Sequence, residues 1–588
     1  MNGERWKEDV ARICGVGEGC VRFDDNLIAI WPGNESSNGE IKLELNSLEE
    51  LFSLEGFEGK IEFKGCVFNG IISAHKMEVK YKIEFVECIF KRMVVFEGMV
   101  FEKNLTITGG EFSRGISSGG TVFTEGVDFH GVSFSGEVSF DGCHFGDETF
   151  FVSPLFENGV SFKNASFNHV LFKNAKFHSV AFHGCQFIAN AVFRGVKFHG
   201  NSDFSSSWST TRDEEDYDYR VSFSGCSFEK KVTFAHSSFR GGFRFQSTIC
   251  KNGADFSGAS FDDSKFDRTE FSSVSFQKSS FDSLASFREV MFKGDASFED
   301  TSFEDCTYFD KSTFDKSAIF AKASFKKEVG FYGAYFKRLF DFRSTTFSAE
   351  MNFINVKMNF NFEDIENALD NLSPKDEKIK ASNDYRESFR AIKNSLIKAN
   401  NTLNATDYSK AELYCKELEL KAKEPRVLTA DWINKLRLSF YRHISDHHTD
   451  LLKIINWVLA CIGCFGGILL CLKSAKHNNE ALVALIVIIS FYVCRFSVAT
   501  NMVQCLKIKK HKTTVSKTLM LIDMAIVLVI LALDPSYALG ITSFKASAQD
   551  SGTVTMIHNL VASVYSVFLL LLLFSLQKTA RRNSIVPN

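Results

Sequence analysis

Residues 161–187 carry a phenylalanine at every fifth position: Phe162, Phe167, Phe172, Phe177, Phe182 and Phe187. Two residues before each of the last five stands a small or β-branched residue: Ala165, Val170, Ala175, Val180 and Cys185. An α-helix with 3.6 residues per turn carries successive fives around its cylinder, and a plain strand alternates with period two. Neither produces this pattern. A short extended segment followed by a corner, repeated, does. Upstream the steps alternate between five and six. One register runs Phe63, Ala74, Phe85, Phe96, Ile107 and later Phe129 and Phe140; the other runs Phe68, Val79, Phe90, Phe101 and Phe112. A polar insertion at residues 205–222 interrupts the series, which returns at Phe223, takes Cys250 as one rung and reaches Phe353. Gly65, Gly131, Gly136, Gly142, Gly184, Gly195, Gly225 and Gly258 follow centres closely and mark corners, where tight dihedrals favour glycine.

With these phenylalanine-centred repeats, residues 57–362 resemble the pentapeptide-repeat family. The resemblance implies a mainly β solenoid: a right-handed quadrilateral parallel β-helix with one repeat per side. On that reading each centre points inward and stacks on its equivalent one coil along. The residue two before it also points inward and must be small. Four sides of five or six residues give about 20–22 residues per coil and about 14 coils. Cys66, Cys88, Cys143, Cys185 and Cys226 then read as buried thiols. His130, His178, His183 and His199, each next to a centre, read as solvent-facing.

Other segments show other periods. Residues 1–56 lack the repeat and read as a cap, with a helix at 6–14 and a strand at 21–31. Residues 363–424 read as a helical-hairpin neck. Tyr385, Phe389, Ile392 and Leu396 form one stripe, and Tyr408, Ala411, Cys415 and Leu418 a second, with Asp407 as its cap. This hairpin covers the last coil, and it is similar to the neck of membrane-attached pentapeptide-repeat proteins. Residues 425–450 carry Trp432, Leu436 and Phe440 on one face beside Lys435, Arg437 and Arg442, an interfacial-helix pattern. His443 and His447 have the spacing of metal ligands on a helix, although a polar elbow accounts for them and no metal or other cofactor is expected.

Residues 451–582 read as a four-helix transmembrane domain, with spans at 451–472, 481–503, 518–541 and 556–576. Lys507, Lys509, Lys510, Lys512 and Lys517 follow the second span, and Lys578, Arg581 and Arg582 follow the fourth. Basic residues favour the cytoplasmic side, which predicts that the repeat domain and both termini are cytoplasmic; the expected location is a bacterial inner membrane. Arg495 and Asp523 lie at similar depth in the second and third spans and can pair. Asp534, Pro535 and Asp550 belong to a connection that resembles, in its span–loop–span layout, the two-helix pore unit of some relatives. It lacks a potassium filter sequence.

The charged N-terminus has no secretory core, which predicts reduced cysteines. The net charge is −3, and residues 57–362 hold 35 basic and 39 acidic residues. That balance speaks against nucleic acid as a partner and against the gyrase-directed DNA mimicry of some relatives. The insertion offers one acidic patch for a basic partner: Asp213, Glu214, Glu215, Asp216 and Asp218. No catalytic constellation or phosphate loop stands out, so an enzyme is not expected. The leading expectation is a membrane-anchored protein whose cytoplasmic β-helix is a rigid protein-binding scaffold or sensor. The alternative is an ion-channel-like protein with the last two spans lining a pore. Expected partners are membrane lipid, a protein, and a second copy of the chain through the spans.

Overall fold

The computed structural model describes the chain except residues 1, 25, 32–39, 42–46, 55, 210–220, 350, 359–360, 475–479, 500–511, 539–552 and 584–588. The chain divides into two units. The first comprises Met1–Asn371 with Asp384–Tyr408, and the second Leu372–Asn383 with Ser409–Asn588.

The first unit is a parallel β-solenoid of about 13 turns over residues 60–358. Phe63 pairs with Phe85 and Phe85 with Ile107, a coil of 22 residues; Phe151 pairs with Phe172 and Phe172 with Phe193, coils of 21. The eleven-residue period is therefore half a coil, and Ala74 lies on the side opposite Phe63. Among the described residues the strands collect into sheets of 27 and 26 members, each wrapping two of the four sides. The insertion is narrower than residues 205–222. Trp208–Ser209 and Val221–Ser222 are strands of the solenoid, with Ser209 at a centre position opposite Phe187.

The rings stack in columns. Phe162 lies 4.8 Å from Phe182, Phe167 5.7 Å from Phe187, Phe172 4.9 Å from Phe193 and Phe177 5.3 Å from Phe198, all near-parallel. All six centres from Phe162 to Phe187 are fully buried. The small inward slots also carry hydrogen bonds. Cys143 donates to the Ser118 carbonyl, Ser207 to Phe182, Ser237 to Phe204, Thr248 to Phe223 and Thr301 to Phe276. A donor in the slot thus satisfies a carbonyl of the preceding coil, which explains why Ser, Thr and Cys alternate with Ala there. Burial pushes the Cys143 and Cys226 thiols up to about 12. Corner residues adopt positive φ at Gly65 and Gly131 but also at Lys76, Glu289 and Lys311. Gly136 differs: a Cβ there would collide with the backbone of Arg114, so close approach requires the glycine.

One irregularity repairs itself. Cys250 leaves a hole in the column between Phe228 and Phe271, its strand partners. The Phe245 ring moves into it, near-parallel to Phe228 at 5.9 Å and to Phe271 at 6.1 Å. Phe243, in a slot that is Val221 one coil earlier, fills the place Phe245 vacates, 6.0 Å from Phe223 and 5.7 Å from Phe266.

Both ends are closed. Helix α1 (Asn2–Cys14) sets Trp6 5.9 Å from Phe57. The segment expected as one strand is a hairpin, β1 (Val21–Asp24) antiparallel to β2 (Leu27–Ile30); β2 then runs parallel to the first coil. Phe52 of α2 (Ser47–Phe52) lies 5.9 Å from Phe96, in room left by Ala74. At the other end follow α3 (Phe362–Asp370), α4 (Lys375–Lys398) and α5 (Thr402–Lys423), the last two divided between the units. Helix α5 begins five residues before Asp407, which is not its cap. Phe389 of α4 meets Phe340 at 5.6 Å, and Tyr408 of α5 meets Phe353 at 5.8 Å. In earlier coils the corresponding amide, such as Phe320 N–H, donates to the carbonyl one coil along, here Asp341. Phe342 has no next coil. Its N–H donates instead to Ser388 Oγ of α4 at 2.9 Å. Ser388→Ala orphans that buried amide and is expected to lower stability by about 1–3 kcal/mol in a thermal or urea melt; an unchanged melt would show that the amide needs no partner.

The second unit is helical: α6 (Ala430–Ser445), α7 (Leu451–Cys461), a π-helical turn (Ile462–Gly466), α8 (Gly467–Ser474), α9 (Glu480–Ala499), α10 (Lys512–Leu533) and α11 (Thr553–Asn583). Leu451–Lys473 and Met556–Arg581 are long and apolar enough to cross a membrane, and Val483–Val493 and Thr518–Leu533 are shorter apolar stretches. Its core gathers Ile454, Leu469, Ile530, Tyr537, Tyr565 and Leu572.

Candidate functional site

Among the described residues, Asn456, Tyr492, Arg495 and Asp523 of the apolar helices meet inside the bundle. Arg495 of α9 ion-pairs with Asp523 of α10; they are 7% and 0% exposed. One turn before Arg495, the Tyr492 hydroxyl donates to Asp523 Oδ1 at 3.0 Å. Arg495 also donates to Asn456 Oδ1 of α7 at 2.8 Å and to the Leu519 carbonyl of α10 at 3.2 Å. One guanidinium thus ties three helices. The π turn places Gly463 against Tyr492, where a Cβ would collide with the hydroxyl. Each charge is neutralised and hydrogen-bonded, the arrangement under which buried ions persist. Chemically this is a lock.

Elsewhere in the unit, Asp534 caps the short 3-10 turn Pro535–Tyr537, accepting from the Ser536 hydroxyl at 2.6 Å and its amide at 3.2 Å. Lys473 of α8 pairs with Asp534 at 3.1 Å and lies over the Tyr537 ring. Asp550 lies outside the described residues, as do Asp213, Glu214, Glu215, Asp216 and Asp218.

The histidines sit in an elbow. Helix α6 ends at Ser445, and Asp446, His447 and His448 take φ of 50°, 57° and 67°. His443 and His447 are therefore not one helical turn apart, and the ligand spacing does not arise. Among the described residues no group of three or more His, Cys, Asp or Glu could hold a metal ion. His443 Nδ1 instead bonds the Ser439 carbonyl at 2.7 Å. His447 is buried between the Tyr414 ring and Glu417, whose carboxylate Arg442 holds at 2.9 Å. His448 Nδ1 reaches Ser575 Oγ of α11 at 3.0 Å, and the Tyr414 hydroxyl donates to Asp446.

Burial lowers the His447 imidazole to about 4, against the raising effect of Asp446. The unfolded chain takes up this proton near the ordinary histidine value while the folded chain refuses it. The neutral ring's contribution is therefore whole above pH 6.5 and is lost as pH falls toward 4, by about 3 kcal/mol. Thermal melts across that window should show the loss, and His447→Gln should flatten it. A wild-type profile flat over that window would contradict the burial.

With the geometry in hand, comparison with known families is informative. The model of pentapeptide repeats matches residues 119–166, 162–208, 256–302 and 287–334, all within the solenoid. The solenoid is a pentapeptide-repeat domain. No curated protein and no solved structure matches the chain.

Because rings fill the pentapeptide-repeat domain, what it can bind it binds on its walls. One wall carries Ser238, Ser260, Ser280, Ser302, Ser324 and Thr346 in strand register, an uncharged hydrogen-bonding row. His130, His178, His183 and His199 are exposed. Three residues of the lock and elbow escape sequence reading. Tyr492 precedes Arg495 by one turn and carried a usable signal. Asn456 and Glu417 act on other helices, and their spacing in the chain gives no hint of it.

Proposed function

We propose that the chain is a non-enzymatic scaffold anchored in a membrane, its pentapeptide-repeat domain cytoplasmic and offering rigid walls to a protein partner. One observation carries the anchoring: the helical unit exposes large aliphatic side chains while it buries charged and hydroxyl groups beside its apolar core. Val483, Val487, Leu521, Leu528, Leu560, Val567 and Phe574 are exposed, whereas Asp523, Ser575 and Thr579 are fully buried. Water would reverse that arrangement, and lipid selects it. The basic connection after α9 and the basic tail support cytoplasmic placement of the repeats. The mutual neutralisation of Arg495 and Asp523 favours anchoring over conduction. Carbonate extraction of expressing cells should leave the full chain in the pellet. In inverted vesicles protease should reach the repeat domain, and crosslinking there should retain a protein partner. Release by carbonate would refute the anchor, and protection of the repeats would refute the orientation.

A further inference from the structure

The apolar stripe of α6 is only half covered. Phe440 and Ile444, near its C-terminus, pack on the core of the helical unit. Toward its N-terminus Ile433 and Leu436 are 53% and 57% exposed, and in the preceding turn Val427 and Leu428 are 69% and 80% exposed. Leu428 has φ of +65°, a left-handed conformation uncommon for a leucine. That backbone is fixed by the Thr429 N–H bonding back to the Arg426 carbonyl, and by Thr429 capping the helix through Trp432 N–H. A large apolar side chain is held out by a strained turn.

Arg426 and Arg437 flank these four residues, both exposed and, among the described residues, without an ion-pair partner. Lys578 of α11 is also exposed, one turn beyond Ser575, which bonds the elbow after α6. Helix α10 also starts from this end of the bundle, at Lys512, since Leu519 in its first half shares Arg495 with Asn456, in the first third of the apolar stretch Leu451–Lys473. At the opposite end Lys473 is neutralised by Asp534. Cations beside protruding aliphatic chains, on the helix that leads into the apolar bundle, match the headgroup level of a leaflet carrying negative charge.

We infer that the N-terminal half of α6 and the turn before it dock on anionic phospholipid headgroups: Val427, Leu428, Ile433 and Leu436 enter the acyl boundary while Arg426 and Arg437 bind phosphate. This rests on the membrane reading above. The test uses the full chain in nanodiscs of phosphatidylcholine with and without phosphatidylglycerol, and native mass spectrometry counts the retained lipids. Wild type should retain phosphatidylglycerol preferentially. Arg426→Glu with Arg437→Glu should cut that preference by at least about fivefold per residue, with an unchanged melt and elution volume. Ile433→Ser with Leu436→Ser should lower retention of both lipids. Equal retention by wild type, or a charge variant that keeps its preference, overturns the inference and leaves the face to a protein. A chain that does not enter nanodiscs at all overturns the membrane reading and this inference together, whereas entry without preference overturns this inference alone.

Discussion

Arg495→Met is expected to destabilise the helical unit by about 3–5 kcal/mol, because it strands the Asp523 carboxylate in an apolar interior. Arg495→Met with Asp523→Leu should recover most of the loss, since an apolar pair of similar volume needs no counter-charge. Exchanging the two residues, Arg495→Asp with Asp523→Arg, should recover less than a simple pair implies. The environment at position 495 offers acceptors, Asn456 Oδ1 and the Leu519 carbonyl. The Asn456 amide can turn over and donate, but a backbone carbonyl cannot, so a carboxylate there faces repulsion. Thermal unfolding and elution profiles in detergent read all three variants. An unaltered melt for Arg495→Met would remove the lock, and full recovery on exchange would show that the ion pair holds without help from Asn456 and Leu519.

In the solenoid, Phe243→Val and Cys250→Phe should each destabilise alone and compensate together. The first leaves a cavity where Phe243 replaces the displaced Phe245 ring, a loss on the order of 2–4 kcal/mol. The second forces a ring into space that Phe245 already holds, costing about 1–3 kcal/mol. Together they restore the regular column, with a small slot at 243, a centre at 245 and a centre at 250. The expected result is a coupling of several kcal/mol between residues seven apart in the chain. Additive losses would show that the rings have not exchanged places. Against this, Phe177→Ala should lower stability by about 3–5 kcal/mol and Lys176→Ala by less than about 0.5, since the ring is enclosed and the amine faces solvent.

These two regions differ in how openly the chain declares them. The columns follow from a repeat of fives and sixes, because every coil meets the same steric demand and restates it in the same residues. The irregularities are readable only as departures. Cys250 was visible as a rung, but the answering move of Phe245 depends on the volume left between Phe228 and Phe271. Ser388 carries no periodic signal at all, being one serine in a polar helix until its hydroxyl stands where a further coil would have been. The expected strand across residues 21–31 became a hairpin because its two halves pair with each other before joining the first coil. A polar elbow was expected after residue 443, and His443 and His447 would have held ligand spacing only had the helix continued. The left-handed run from Asp446 to His448 ended it and turned His448 toward Ser575.

By itself the chain determined that its first half coils around a phenylalanine interior, which residues face that interior, and which later stretches are apolar. Local repetition and composition suffice for these, since each depends on a residue and its near neighbours. Tertiary structure alone decided how Phe243 and Phe245 absorb the missing ring at Cys250, how the ends are sealed, and that Tyr492 and Asn456 join Arg495 and Asp523 within one dry cluster. Those outcomes depend on distances between segments tens of residues apart, where the free energy of a buried charge or an orphaned amide turns on what another helix happens to present.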